Sequence, residues 1–421
     1  MLRWTQIQDD LRRDDLHLFF KRFAIGREKS ALETVRVMAA AITPGFNVDS
    51  VGALKIMPSM LKSFTRLCKG LAVFASLLLP LSLSVGTPLG LLDANHPAVR
   101  TVLNAQQEVT AGWMQTAGVL GTAVGLDADG NPALVVYVDR DEANAPDIVR
   151  SFPAQTRGVN VRVELTDKFR AMAGGPGKGH TAKQTAPIQL GTSGGWTYDL
   201  ANGFCCGGTL GALVNIGGVQ HILSNYHVFE ADITSGGNGR TALTGDPIIQ
   251  PGLIDVNCSS TGTLQVGTLV KKSSLPGSNV DCSIAKVISG QVDTSGAILE
   301  IGTISSSTVN AALNQKVKKS GRTTGLTRSS ISGLNATISV TYDNECAGGT
   351  AFTKTFTGQI VVTNRGSKFL DSGDSGSLMA EDITTNPRAV GLLFAGSSST
   401  AIANPIGQVL SFLGGATMVG N

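Results

Sequence analysis

A serine that could act as a nucleophile lies near the C-terminal end of the chain, in Asp371-Ser-Gly-Asp-Ser-Gly-Ser377. A hydroxyl is a poor nucleophile near neutral pH, so Ser375 would need a histidine to accept its proton and a carboxylate to orient that histidine. Gly373 and Gly376 lack Cβ, which lets a substrate carbonyl approach the N–H groups of Gly373 and Ser375, the predicted oxyanion hole. The same residues are also typical of a polar turn, so the interpretation depends on the partners.

The candidate base is one of two histidines in the half of the chain that contains Ser375. His221 falls within an apolar stretch and is predicted to lie on a strand face. His227 follows that strand, in Ser224-Asn-Tyr-His-Val-Phe229, where a side chain can turn into a cleft. His227 is therefore the candidate general base, with an ordinary loop histidine as the alternative.

The carboxylate has more candidates. Asp281 is preferred because it opens the apolar segment Val280-Asp-Cys-Ser-Ile-Ala-Lys-Val287, where a buried acid would need a partner such as a histidine N–H. Asp255 is the leading rival, and Asp246, between Gly245 and Pro247, indicates a turn. Asp374 is adjacent to the serine, and we expect its side chain to be directed away from it. The remaining aspartates considered are Asp293, Asp343 and Asp371.

Three stretches in chain order resemble the His, Asp and Ser motifs of chymotrypsin-like (trypsin-like) serine proteases: Ser224-Asn-Tyr-His-Val228, Val280-Asp-Cys-Ser-Ile-Ala285 and Gly373-Asp-Ser-Gly-Ser377. Further stretches are similar to a bacterial secreted branch of that family and to the plant narrow-leaf type: Gly207-Gly-Thr-Leu-Gly-Ala-Leu213, Lys319-Ser-Gly-Arg-Thr-Thr-Gly325 and Gly391-Leu-Leu-Phe-Ala-Gly396. The resemblance covers residues 187–421. It implies two six-stranded antiparallel β-barrels with the triad in the cleft between them. His227 and Asp281 would come from the first barrel and Ser375 from the second.

The resemblance also implies a specificity pocket formed just before the nucleophile and by the stretch 391–396. The residues at those places are Phe369, Phe394, Ala395 and Gly396, which predict an apolar or small substrate side chain. The sequence departs from animal members of the family, because Val228 follows the histidine where they carry cysteine, and Ser377-Leu378 replaces Gly-Pro. No peptide-binding domain of the Deg type is expected after the barrels.

Composition agrees with a β-rich enzyme and excludes other classes. Only 15% of residues are charged and the formal net charge is +3, so no basic surface for nucleic acid is expected. Short strand-like stretches without long helices predict an all-β fold for residues 187–421. A terminal helix is predicted to begin with Asn404 as N-cap and Pro405 in its first turn. Cysteine and histidine spacings of the zinc type are absent from the sequence, so neither a metal nor a cofactor is expected.

The N-terminal part divides into segments of different character. Residues 1–59 are interpreted as a doubtful leader or an over-extended start, with Met57 or Met60 as an alternative start. Residues 60–92 combine a basic stretch with an apolar run and predict a signal peptide, so the protein is expected to be secreted or periplasmic. A membrane anchor over residues 71–92 is the alternative, although Pro80 and Gly86 weaken a continuous helix.

Residues 93–172 predict a small α+β domain that precedes the barrels. Its elements are a helix over 96–115, a hairpin of 118–126 and 133–138, a helix over 145–151 and a strand over 159–165. No nucleophile with a neighbouring base occurs in it, so we interpret it as a pro-domain or accessory domain. Residues 173–186 are rich in glycine and predict a flexible linker rather than a phosphate-binding loop.

Five cysteines follow the predicted signal peptide, and an exported protein favours disulfides. A bridge between Cys258 and Cys282 is the first expectation, with Cys346 paired to Cys205 or Cys206. The favoured function is a secreted serine endopeptidase acting on protein or peptide substrates through a Ser-His-Asp triad and an acyl-enzyme. The alternatives are a catalytically idle binding protein with the same fold and an esterase-like acyl hydrolase.

Overall fold

The computed structural model describes residues 90–172, 180–201, 204–230, 240–342, 351–364 and 368–421. The predicted leader, nearly all of the predicted signal segment, and the glycine-rich part of the predicted linker lie outside these residues. In the described part of the chain, no helix has the length and apolar character needed to cross a membrane.

Residues 90–172 contain every element that the sequence predicts there. The amphipathic helix α1 buries Val99, Val102 and Ala105 on one face, as a spacing of three residues requires. The hairpin turn is closed by the Asp127 carboxylate, which accepts hydrogen bonds from the N–H groups of Asp129 and Asn131. The elements are α1 Pro97–Trp113, β1 Val119–Leu126, β2 Pro132–Asp139, α2 Ala145–Ser151, β3 Gln155–Thr156, β4 Val159–Thr166 and β5 Phe169–Ala171.

The rest of the described chain is mostly β, as predicted. Its first strands are β6 Thr192–Trp196, β7 Leu200–Ala201, β8 Phe204–Cys205, β9 Gly208–Leu210, β10 Ala212–Ile216 and β11 Val219–Ser224. Next in chain order are the short helix α3 Tyr226–Phe229, strand β12 Pro247–Gln250 and the 3-10 turn Leu253–Asp255. They are followed by β13 Leu264–Val270, β14 Ser283–Val287, β15 Ala297–Ile298 and β16 Gly302–Thr303. The last elements are β17 Lys316–Gly321, β18 Gly325–Tyr342, β19 Phe352–Thr363, β20 Leu378–Glu381, β21 Ala389–Gly396, β22 Thr400–Pro405, α4 Ile406–Phe412 and β23 Thr417–Met418.

Strand pairing differs from two separate six-stranded barrels. One sheet has eight strands in the order β23-β10-β11-β14-β13-β12-β6-β9. The other has eleven, in the order β17-β20-β21-β22-β19-β18-β1-β2-β4-β3, with β5 paired to β18 and β21. The reason is that the long strand β18 pairs with β1, so the second sheet continues into the region before residue 172. All described residues therefore belong to one compact unit, and the boundary at 172–187 stays a prediction.

Separate clusters of buried apolar side chains pack on the two sheets. The first includes Leu213 and Ile222 from the eight-stranded sheet and Phe229 from helix α3. Two others lie on the eleven-stranded sheet, one around Phe369 and Leu393 and one around Phe356 and Phe394. These clusters fix the strands whose ends carry the candidate site.

Two local predictions are wrong. Helix α4 is capped by Pro405 without a side-chain hydrogen bond, because the Asn404 amide is used in the core instead. The disulfide joins Cys205 to Cys258, with Cα atoms 5.5 Å apart, and Cys282 is a free, buried thiol. Cys282 directly precedes strand β14 and lies in the core, where burial raises the pKa of its thiol well above its ordinary value. Cys206 is also disulfide-bonded, and Cys346, the predicted partner of Cys205 or Cys206, lies outside the described residues.

Candidate active site

His227 and Asp281 form a buried pair at the edge of the eight-stranded sheet. Strand β11 delivers the chain to helix α3, which carries His227, and the neighbouring strand β14 starts just after Asp281. His227 Nδ1 lies 2.7 Å from Asp281 Oδ2, and the two side chains are 7% and 0% exposed. A carboxylate on Nδ1 orients the imidazole and leaves Nε2 as the atom that can exchange a proton. Two residues that are 54 positions apart are thus brought together.

Four further groups hold the Asp281 carboxylate and its backbone, and one of them is the Asn225 side-chain amide, which donates to the Asp281 carbonyl at 2.7 Å. The N–H of Tyr226 donates to Oδ1 at 2.7 Å, and the Tyr342 hydroxyl donates to Oδ2 at 2.8 Å. The Asn404 side chain accepts the N–H of Asp281 at 2.9 Å. Burial, together with the adjacent Asp281 charge, raises the pKa of Tyr342 well above its ordinary value, so it acts as a hydrogen donor. Nothing in the local sequence marks Tyr342 or Asn404 as a neighbour of Asp281, so neither contact is predicted from the sequence.

The rival acids are engaged elsewhere. Asp255 receives two hydrogen bonds from the Arg322 guanidinium, at 2.7 and 2.6 Å, and one from the Ser193 hydroxyl. Asp246 accepts the Trp196 indole N–H at 3.0 Å. His221 lies on strand β11, where its Nδ1 contacts the carbonyl of Val219. Among the described residues, no group of three His, Cys, Asp or Glu side chains is arranged to hold a metal ion.

Ser375 lies in a buried turn beside the end of strand β11. Thr209 N–H donates to the Ser375 carbonyl at 2.8 Å, and a Cβ on Gly376 would lie 2.2 Å from Ser224 Oγ. The Ser375 hydroxyl donates to the Phe394 carbonyl at 3.2 Å rather than to His227. His227 Nε2 is buried and has no hydrogen-bond partner among the described residues. The structure therefore forms the His227–Asp281 pair but not a hydrogen bond between His227 and Ser375.

Asp374 anchors the turn, with its side chain directed away from the nucleophile. Its carboxylate lies 3.1 Å from Lys319 Nζ, and both side chains are fully buried. The same carboxylate accepts N–H groups of Thr323 and Thr324. Burial lowers the pKa of Lys319, while the Asp374 charge opposes that shift. A buried cation thus fixes the backbone on the N-terminal side of Ser375.

The Gly373 N–H already binds a peptide carbonyl. Gly373 adopts φ +95°, and a Cβ there would lie 2.5 Å from Arg322 Nη1 and from Thr323 Oγ1, so only glycine fits. Its N–H donates to the carbonyl oxygen of Met172 at 2.7 Å. The Gly373 N–H, predicted as an oxyanion donor, therefore donates a hydrogen bond to a peptide carbonyl in the structure.

The predicted pocket residues lie in different surroundings. The Phe369 side chain belongs to a core cluster against which Met172 packs, whereas the Phe394 side chain packs with Phe356 in another cluster. Phe394 contributes its carbonyl, which accepts both the Met172 N–H and the Ser375 hydroxyl. Ala395 and Gly396 pair with strand β5, and a Cβ on Gly396 would lie 3.0 Å from Met172 Cε.

Comparison with known proteins gives similarity to one family and to several proteases. Residues 277–404, which include Asp281 and Ser375 but not His227, match the family described as the Nal1 C-terminal domain. No curated protein matches the chain.

Solved structures that are similar to this chain are bacterial serine proteases of the chymotrypsin type. They include a glutamic acid-specific serine protease with a histidine triad in substrate binding (18% identity, TM-score 0.36, covering 55% of this chain and 100% of that one). Protease A of Thermobifida fusca has 22% identity and a TM-score of 0.34, and covers 51% of this chain and 92% of that one. Cellulomonas bogoriensis chymotrypsin has 21% identity and a TM-score of 0.34, with 56% and 99% covered. At these TM-scores, the similarity carries no conclusion about this chain.

Proposed function

We propose that the protein is a secreted serine endopeptidase that hydrolyses peptide bonds through Ser375, His227 and Asp281. The observation that carries the proposal is the Gly373 N–H bound to a peptide carbonyl, in the same turn as Ser375. Val228, next to the histidine, lies near that turn, since a Cβ on Gly208 would be 2.6 Å from Val228 Cγ2 and 3.0 Å from the Ser375 carbonyl oxygen. The Asp281 carboxylate orients the buried histidine. A nucleophile, an oriented base and an oxyanion donor together define acyl transfer.

In the reaction, the Ser375 hydroxyl attacks the substrate carbonyl while His227 Nε2 accepts its proton. Asp281 holds the imidazole through Nδ1 and stabilises the imidazolium that forms. The N–H groups of Gly373 and Ser375 stabilise the oxyanion, and one such donor contributes roughly 10²–10³-fold to kcat. His227 then protonates the leaving amine, and water hydrolyses the acyl-enzyme by the same route in reverse.

One rearrangement is required before attack. The Ser375 hydroxyl donates to the Phe394 carbonyl, and His227 Nε2 is without a partner among the described residues. The mechanism requires that rotation about the Cα–Cβ bond of Ser375 replace that acceptor with His227 Nε2. Hydroxyl rotamers interconvert readily, so the exchange is not expected to limit the rate.

A fluorophosphonate probe tests the proposal, because it reacts with an activated serine. The Met172 carbonyl accepts the Gly373 N–H and would compete with the probe. Labelling is therefore measured both on the full chain and on the chain nicked by Lys-C, which cuts after lysines such as Lys178. We expect labelling of Ser375 in at least one form and none in Ser375→Ala. His227→Ala and Asp281→Asn should label at least 10³-fold more slowly, as a triad requires.

Comparison of substrates separates the hydrolase classes. Hydrolysis of casein, lost in Ser375→Ala, supports an endopeptidase, whereas hydrolysis of a simple ester without casein cleavage would indicate an esterase. No Ser375 labelling in either the intact or the nicked chain would refute the proposal and favour a binding protein with the same fold.

A further inference from the structure

Strand β5 lies in the candidate site as an extended peptide would. It pairs antiparallel with β21, through Ala171 opposite Ala395 and Arg170 opposite Gly396. On its other side it pairs in parallel with β18, through Phe169 opposite Val340. Main-chain pairing of this kind holds a peptide by its backbone regardless of most of its side chains.

The backbone of Met172 ends this strand at the reacting groups. Its N–H donates to the Phe394 carbonyl at 3.3 Å, and its own carbonyl accepts the Gly373 N–H at 2.7 Å. The Ser375 hydroxyl donates to the same Phe394 carbonyl at 3.2 Å. Because the Met172 amide and the Ser375 hydroxyl share one acceptor, the nucleophile lies next to the Met172 backbone.

The Met172 side chain enters an apolar pocket. It packs against the cluster that contains Phe369, Leu370 and Leu393. Its terminal methyl lies 3.0 Å from the place of a Cβ on Gly396, and its sulfur lies 3.9 Å from the Ser372 hydroxyl. The glycine thus leaves room for the end of a long, unbranched side chain.

We propose that residues 169–172 are the chain's own substrate segment: Ser375 cleaves the bond between Met172 and Ala173, and the pocket selects apolar side chains that are not branched at Cβ, such as methionine. This inference rests on the proposed function. Ser375 Oγ bonds to the Met172 carbonyl carbon and its proton passes to His227. The C–N bond to Ala173 breaks as His227 protonates the amine. Water then releases a Met172 carboxylate and restores Ser375.

After the cut, the segment still binds the site and inhibits it reversibly. Strand β1 pairs with β18, and Phe169 is fully buried with its ring 5.6 Å from that of Tyr137. These contacts do not depend on the bond after Met172, so the strand rebinds after the cut and competes with other substrates. A chain cut on the C-terminal side of Met172 is therefore expected to act on other substrates slowly, in proportion to the fraction of molecules from which the strand has dissociated.

The first experiment follows self-cleavage. The full chain and its Ser375→Ala variant are purified in denaturant and refolded, and the products are identified by intact mass and N-terminal sequencing. We expect a new N-terminus at Ala173 in the wild type and an intact chain in Ser375→Ala. A cut after Met172 that persists in Ser375→Ala, or no such cut in the wild type, would overturn the inference.

Variants of Met172 test the pocket. Met172→Leu should be cut at a rate close to that of the wild type, whereas Met172→Val and Met172→Asp should be cut at least about tenfold more slowly. The reasons are a branched Cβ in the first case and a charge in an apolar pocket in the second. Equal rates for methionine and aspartate would overturn the pocket assignment.

Peptide reporters examine the same preference without altering the protein. Reporters that end in Phe-Arg-Ala-Met, -Leu, -Val or -Asp are assayed with the Lys-C-nicked chain, and kcat/KM should follow the same order as the Met172 variants. Labelling of Ser375 without a cut after Met172 would leave the proposed function standing and refute only this inference. Absence of labelling would instead refute the function itself.

Discussion

Replacement of Tyr342 by phenylalanine is expected to weaken the His227–Asp281 pair without altering the shape of the core. The Tyr342 hydroxyl is one of three donors to the Asp281 carboxylate, and it shares Oδ2 with His227. Both Tyr342 and Asp281 are buried, so water does not readily replace the lost donor. A hydrogen bond to a charged group contributes about 1.5–3 kcal/mol, and we expect the free energy of unfolding to fall by that amount.

The assay is urea unfolding followed by tryptophan fluorescence, with Ser375→Ala present in every variant to prevent self-digestion. Tyr137→Phe is the matched control, because Tyr137 is buried in the same cluster and none of the described residues hydrogen-bonds its hydroxyl. That control should change the free energy of unfolding by less than about 0.5 kcal/mol.

Activity provides a second measurement that a purely structural effect would not reproduce. In the active, nicked chain, Tyr342→Phe should lower kcat about tenfold, equivalent to about 1.4 kcal/mol. KM for a reporter peptide should stay constant, because the hydroxyl contacts Asp281 rather than strand β5. The reasoning is refuted if the unfolding free energy matches that of Tyr137→Phe, or if KM rises while kcat is unchanged.

Two further outcomes are expected. Lys319→Met should lower the free energy of unfolding in urea by about 3–5 kcal/mol, because it leaves the buried Asp374 carboxylate without its cation. The control Lys316→Met, at an exposed position on the same strand, should change it by no more than about 0.5 kcal/mol. Equal effects of the two substitutions would contradict the role of the buried pair. Burial lowers the pKa of His221 below its ordinary 6.5, so the unfolded chain binds the proton first and stability should decline as pH falls below about 6.5. His221→Gln should lack that part of the decline between pH 8 and pH 5, and thermal unfolding curves with identical pH dependence for both proteins would show that His221 does not titrate as described.

The residues of the candidate site differ in how well the sequence predicts them. A serine between glycines, a histidine at a strand end and an acid at the start of an apolar strand are local signals, and they led to Ser375, His227 and Asp281. Packing explains what was missed. Tyr342 contacts Asp281 from the other sheet, and the Asn404 side chain accepts the Asp281 N–H instead of capping a helix. The disulfide was also mispredicted, because which cysteines lie about 5.5 Å apart depends on the folded loops.

Periodicity, turn chemistry and functional groups in the sequence are enough to predict the β-rich character, the elements of residues 93–172 and the residue types for acyl transfer. The continuation of the second sheet through β18 into β1, and the hydrogen bond from the Gly373 N–H to the Met172 carbonyl, are visible only in the folded chain. Both depend on pairings between strands some two hundred residues apart. Such contacts are selected by the free energy of the whole packed core, which no local stretch of sequence contains.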